Sequence, residues 1–113
     1  MKFTREFKKV AKLDGRLVYR RQQLVPVPMK IRSFTGKLTN PPTEPREHTV
    51  ELQLNGIAIW QFAFTDATSL VFVFAKPLLV KRGQNEFRVV VTGFAPAEEI
   101  EGIVEIDLAA SIF

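Results

Sequence analysis

The chain has no cysteine among its 113 residues, which removes disulfides, thiolate nucleophiles and cysteine-built zinc sites together. It has one histidine, one tryptophan and one tyrosine. A single histidine with no placed nucleophile gives no catalytic triad. Glycine numbers only six, and Gly36-Lys37 and Gly83-Gln84 are isolated, so no dinucleotide-binding or Walker-type loop is encoded. No run of about 18 apolar residues occurs, so no membrane-spanning helix is expected. The segment after Met1 is repeatedly broken by lysine and arginine, so it reads as no secretory signal. No useful internal repeat or low-complexity tract is present. These absences predict a protein that is not an enzyme, with no catalytic residue, cofactor or metal.

What is present is hydrophobic and unevenly charged. The chain is 46% hydrophobic with ten phenylalanines, enough apolar surface to offset the entropy of ordering a single domain. Eight of its sixteen cations lie in residues 1–21: Lys2, Arg5, Lys8, Lys9, Lys12, Arg16, Arg20 and Arg21. Only Glu6 and Asp14 oppose them, so this segment carries +6 and the remaining residues −2. We divide the chain into a basic N-terminal arm or edge segment, residues 1–15, and one domain, residues 16–113.

The body reads as strands. Asn55-Gly56 between two alternating runs is a type I′ hairpin signal, because both central residues of that turn need positive φ. Regular pairing from that turn sets Leu54 against Ile57, Leu52 against Ile59 and Val50 against Gln61 on one face. Trp60 then faces Glu51, and Phe62 faces Thr49. Residues 70–75, Leu-Val-Phe-Val-Phe-Ala, are apolar on both faces, as in a strand covered on both sides. Pro77 interrupts that pattern, residues 81–85 read as a turn, and residues 86–92 form another strand. Residues 93–102 read as an acidic loop before an alternating strand over 103–110. Earlier strands are expected over 16–25 and 27–38, with a bulge near Ser33-Phe34. Pro41, Pro42 and Pro45 mark a long exposed connection. Phe3 and Phe7 fit either a helical face or an edge strand.

Six or seven short strands predict an all-β, antiparallel sandwich, jelly-roll-like, with the basic arm appended. The cysteine and tryptophan spacing of an immunoglobulin-type core is missing.

Few residues suggest chemistry. His48 reads as a solvated loop imidazole; the competing reading is a general base or metal ligand with Glu44 and Glu47. Glu98, Glu99, Glu101, Glu105 and Asp107 form an acidic face without the cleft that paired-carboxylate catalysis needs. That face could receive a neighbouring subunit's basic arm. Trp60 and Tyr19 are candidate aromatic contacts for a sugar ring or an unpaired base. The basic arm itself could neutralise phosphates, dock on a neighbour, or serve solubility alone.

The stretch Phe74-Ala75-Lys76-Pro77-Leu78-Leu79-Val80-Lys81-Arg82-Gly83-Gln84-Asn85-Glu86-Phe87 runs from an apolar strand through a proline and a glycine turn into a second strand. With the basic arm and the cysteine-free β body, it resembles small single-jelly-roll structural proteins of virions, such as phage capsid and vertex components. The resemblance implies a non-catalytic, self-associating protein whose partners are further copies or other structural subunits, located in a virion, or otherwise in the cytoplasm. The doubly apolar strand over 70–75 and the terminal Ile112-Phe113 are then contact elements, and nucleic acid is a further partner for the arm. A nucleic-acid-binding β-barrel and a carbohydrate-binding β-sandwich are the alternative functions.

Overall fold

A computed structural model describes residues 2–10, 12, 14–38, 47–65, 69–95 and 98–111. The proline-rich connection with Glu44, and the terminal Ile112-Phe113, lie outside these residues. The described chain is all-β, with eight antiparallel strands rather than six or seven: β1 (Lys2–Val10), β2 (Leu17–Val25), β3 (Met29–Leu38), β4 (Glu47–Leu54), β5 (Ile57–Thr65), β6 (Ser69–Val80), β7 (Gly83–Thr92) and β8 (Glu99–Ala110). They form two four-stranded sheets packed as a sandwich, one in the order β1-β8-β3-β6 and the other β2-β7-β4-β5.

Alternation explains the core. Met29, Ile31 and Phe34 of β3, Val50 and Leu52 of β4, Phe87 and Val89 of β7, and Val104, Ile106 and Leu108 of β8 meet between the sheets. Their solvent-facing neighbours are mostly polar, the signature of sheets covered on one side. Each buried apolar side chain contributes roughly 1.5–3 kcal/mol relative to exposure. A smaller cluster of Leu17, Phe94 and Ile100 closes one end.

The hairpin forms as its sequence predicts: Asn55 has φ 52° and Gly56 has φ 83°. Asn55 also reaches outside its own turn. Its Nδ2 donates to Asn85 Oδ1 at 2.9 Å, and Asn85 Nδ2 donates to the Lys81 and Gly83 carbonyls at 2.9 and 3.0 Å. The Glu86 amide donates to Asn55 Oδ1 at 2.8 Å. Buried Asn85 thus ties the β4–β5 hairpin to the β6–β7 turn with its polar atoms satisfied.

The register of β5 departs from the regular hairpin. Leu54 pairs with Ile57 and Gln53 with Ala58, but a bulge then sets Leu52 against Trp60, Val50 against Phe62 and His48 against Phe64. One extra residue, Ile59, flips every later side chain to the other face. Trp60 therefore faces Leu52, not Glu51, and Trp60, Phe62 and Phe64 share the face of Leu52, Val50 and His48. The bulge expected in β3 lies between Ile31 and Ser33.

Two further expectations change. Residues 99–102 belong to β8 rather than to a loop, because all of them pair with β1. The strand over residues 70–75 lies within β6, which is a sheet edge and not a covered central strand. Its Phe72 and Phe74 turn inward, while Val71 and Val73 are 65% and 74% exposed.

Candidate functional site

The eight cations of residues 1–21 do not gather into one patch. Lys2 and Lys8 alternate outward along β1, opposite the acidic row of β8. Lys2 Nζ lies 3.5 Å from Glu105, and Lys8 Nζ lies 3.3 Å from Glu101. The Thr4 hydroxyl donates to Glu105 at 3.0 Å. On the other flank of the row, Arg32 Nε lies 3.9 Å from Asp107. The acidic face thus has cationic neighbours within its own sheet. Glu98 instead accepts the Ala95 amide at 2.9 Å. Lys12 and Arg16 frame the β1–β2 turn, where the Lys12 amide donates to the Arg16 carbonyl at 2.9 Å. The Arg16 amide donates to Asp14 at 3.1 Å. Only the backbone of Lys9 is described.

Arg20 stands on the outer face of β2 directly opposite Arg88 of β7. Like charges in that position repel, and Glu86 offsets the repulsion by serving both, at 3.9 and 2.8 Å. Gln22 donates to the second oxygen of Glu86 at 3.0 Å.

The remaining two arginines face a different environment. Arg5 shares the inward parity of Phe3 on β1, and Arg21 shares that of Tyr19 on β2. Because β1 and β2 are the edges of opposite sheets, the two guanidinium groups come to one lateral mouth of the sandwich. A cleft of about 470 Å³ opens there, lined by Arg5, Lys8, Arg20 and Arg21, with Tyr19, Gln22 and one carboxylate, Glu6. The Arg21 guanidinium sits 4.9 Å above the Phe3 ring, and its Nε donates to Gln23 at 3.2 Å. Phe3 in turn meets Phe87 edge-on at 5.2 Å, so the cation is mounted on the core.

The opposite lateral side, between β5 and β6, is filled with rings. Trp60 lies 4.6 Å from Phe72, 5.4 Å from Phe74, 5.8 Å from Phe34 and 6.2 Å from Phe62 between centroids. Phe62 also meets Phe72 at 4.6 Å and is 40% exposed. Trp60 is therefore committed to packing on four phenyl rings, and Phe62 is the ring that reaches solvent. The bulge that turns Trp60 inward is the feature the hairpin pattern did not disclose.

His48 is not a solvated loop residue. It is 2% exposed, on β4, with its ring between Phe64 at 5.3 Å and Phe94 at 4.9 Å. Its Nδ1 donates to the Thr92 carbonyl at 3.1 Å, and Nε2 has no hydrogen-bond partner among the described residues. Gly93 makes this closeness feasible: at φ +96° a side chain would be strained, and a Cβ would strike the Glu47 carbonyl. Among the described residues, no group of three or more His, Asp or Glu side chains is placed to hold a metal ion. Nor is any described helix long and apolar enough to cross a membrane.

No known family model matches the chain, and no curated protein sequence matches it.

Proposed function

We propose that this protein is a non-catalytic structural subunit that acts by self-association, a jelly-roll building block of the kind that forms virion shells. The observation that carries the reading is the exposed apolar surface of β6. Val71, Val73 and Leu79 project into solvent from a twelve-residue edge strand, and Phe62 of β5, packed on Phe72 of β6, also reaches solvent. A long apolar sheet edge left in water invites pairing with another chain. The sequence pattern of that strand, apolar on both faces, is that of a strand with a cover on each side, and a second copy supplies the missing cover.

The strand order supports the jelly-roll part of the reading. Eight strands divide into two four-stranded sheets, and successive strands alternate between sheets except at the β4–β5 hairpin. That is consistent with a double Greek key. Fold alone does not carry function, so the assembly role rests on the β6 surface. The non-catalytic reading is supported by the placement of the carboxylates, spread along β8 beside cations, and by the enclosure of His48.

Light scattering coupled to size-exclusion chromatography tests this reading. The expected result is an oligomer that persists in high salt, as an apolar contact should, and discrete symmetric particles in negative-stain images. Val73→Lys places a charge on an exposed edge, where native sheets often carry lysine, and is expected to yield a folded monomer. A wild-type chain that stays monomeric at high concentration in all salts overturns the proposal.

A further inference from the structure

We propose that the cleft between the β1 and β2 edges binds a compact multivalent oxyanion of the polyphosphate type, held by Arg5 and Arg21. The cleft's four cations divide into two classes. Lys8 and Arg20 already have carboxylate partners, Glu101 and Glu86. Arg5 and Arg21 have no carboxylate within ion-pair distance among the described residues, although both line the same 470 Å³ space. Two arginines with no ion-pair partner among the described residues, in a cleft lined by four cations and one carboxylate, focus a positive potential there.

Arg21 is also preorganised. The Phe3 ring below it and the Gln23 oxygen at its Nε fix the guanidinium plane, at 4.9 and 3.2 Å. A fixed planar fork suits the paired oxygens of a phosphate better than a mobile ammonium does. Tyr19, whose ring is buried against the core, adds a phenol to the cleft lining.

The surroundings favour a compact ligand over an extended polyanion. Glu86 and Glu101 flank the cleft on the outer faces of the two sheets, and Glu6 lies at its rim. A nucleic-acid strand running past the cleft would meet these carboxylates, whereas a ligand confined to it would not.

Calorimetric titration of the full chain with tripolyphosphate at low salt tests the site, with Arg5→Gln, Arg21→Gln and Lys37→Gln as variants. Lys37 is an exposed cation on β3 that does not line the cleft. Loss of one charge-assisted contact is expected to weaken binding about tenfold in either arginine variant, with Lys37→Gln unchanged. Inorganic phosphate is expected to bind more weakly than tripolyphosphate, and affinity should fall as salt rises. Arg5→Gln is the cleaner variant, because Arg5 is exposed and its removal leaves the Phe3 contact intact. No tripolyphosphate binding by the wild type overturns the proposal, as does equal weakening by Lys37→Gln. A thymidine oligonucleotide that binds more tightly than tripolyphosphate also overturns it, since that places the ligand along the surface. Chromatography of the same samples keeps this outcome separate from the self-association reading.

Discussion

The two lateral sides of this sandwich solve one physical problem in opposite ways. Each is bounded by the edge strands of both sheets, so each exposes backbone hydrogen-bonding groups and a seam into the core. On the β5–β6 side the seam is packed with Trp60, Phe62, Phe72 and Phe74, and apolar side chains continue onto the outer surface of β6. On the β1–β2 side the seam is capped by Phe3 and Tyr19, and cations stand over them. Charged edges resist pairing with another chain, and apolar edges invite it. The contrast gives the molecule a direction: one lateral side is apolar at its surface, the other cationic.

The largest effect expected from breaking this contrast is at Trp60. Trp60→Ala removes the ring that Phe34, Phe62, Phe72 and Phe74 all touch. It should cost about 3 kcal/mol, toward the lower end for aromatic truncations because the site is only half-buried. The urea midpoint should fall accordingly at unchanged slope. A loss below about 1 kcal/mol would mean that the rings do not close the seam, and that this side is open to a ligand instead.

How far each side was legible in the sequence follows from how local its determinants are. Asn55-Gly56 announced the hairpin because two adjacent residues suffice to set that turn. The position of Trp60 was not legible, because Ile59 and Trp60 are both apolar and either can face inward. A single bulge decides between them, and nothing in the alternation marks it. Residues 99–102 did carry a strand signal, since Glu99, Ile100 and Glu101 alternate in polarity. Their charge density resembles that of a solvated loop, and the cations of the flanking strands, Lys2 and Lys8 on β1 and Arg32 on β3, explain why a strand can be so acidic. For β6, the apolar pattern suggested a covered strand, whereas the structure places it at a sheet edge with Val71 and Val73 exposed; apolar residues on both faces do not say where in the sheet a strand lies. Arg5 and Arg21 belong to strands of different sheets, so only the topology brings them to one cleft.

Arg21 gives the next largest effect on folding. Arg21→Met keeps the length of the side chain and removes the charge over Phe3. The cation–π contact at this partly exposed site is worth about 0.5–1 kcal/mol, and the Gln23 hydrogen bond adds to the loss. A fall of about 1 kcal/mol in urea denaturation is the expected outcome. An increase in stability would mean that Arg21 is strained by uncompensated charge, as in a site built for a ligand at the expense of the fold. That result would deepen the contrast with the β5–β6 side, where the packed rings stabilise the fold.

The smallest effect is the ion pairing along β1 and β8, and it separates docking of this edge by charge from docking by shape. Lys2 and Glu105 are diagonal neighbours 3.5 Å apart, the lysine exposed and the carboxylate partly so. A double-mutant cycle with Lys2→Met and Glu105→Gln should return a coupling of about 0.2–1 kcal/mol, vanishing in concentrated salt. Water screens the pair, and ordering a long lysine offsets much of its attraction. Glu105→Gln alone should cost slightly more than the coupling, because Glu105 also accepts from the Thr4 hydroxyl. A coupling near zero would mean that β1 is held by its backbone ladder and by Phe3. The lysines would then act to keep other chains off this edge.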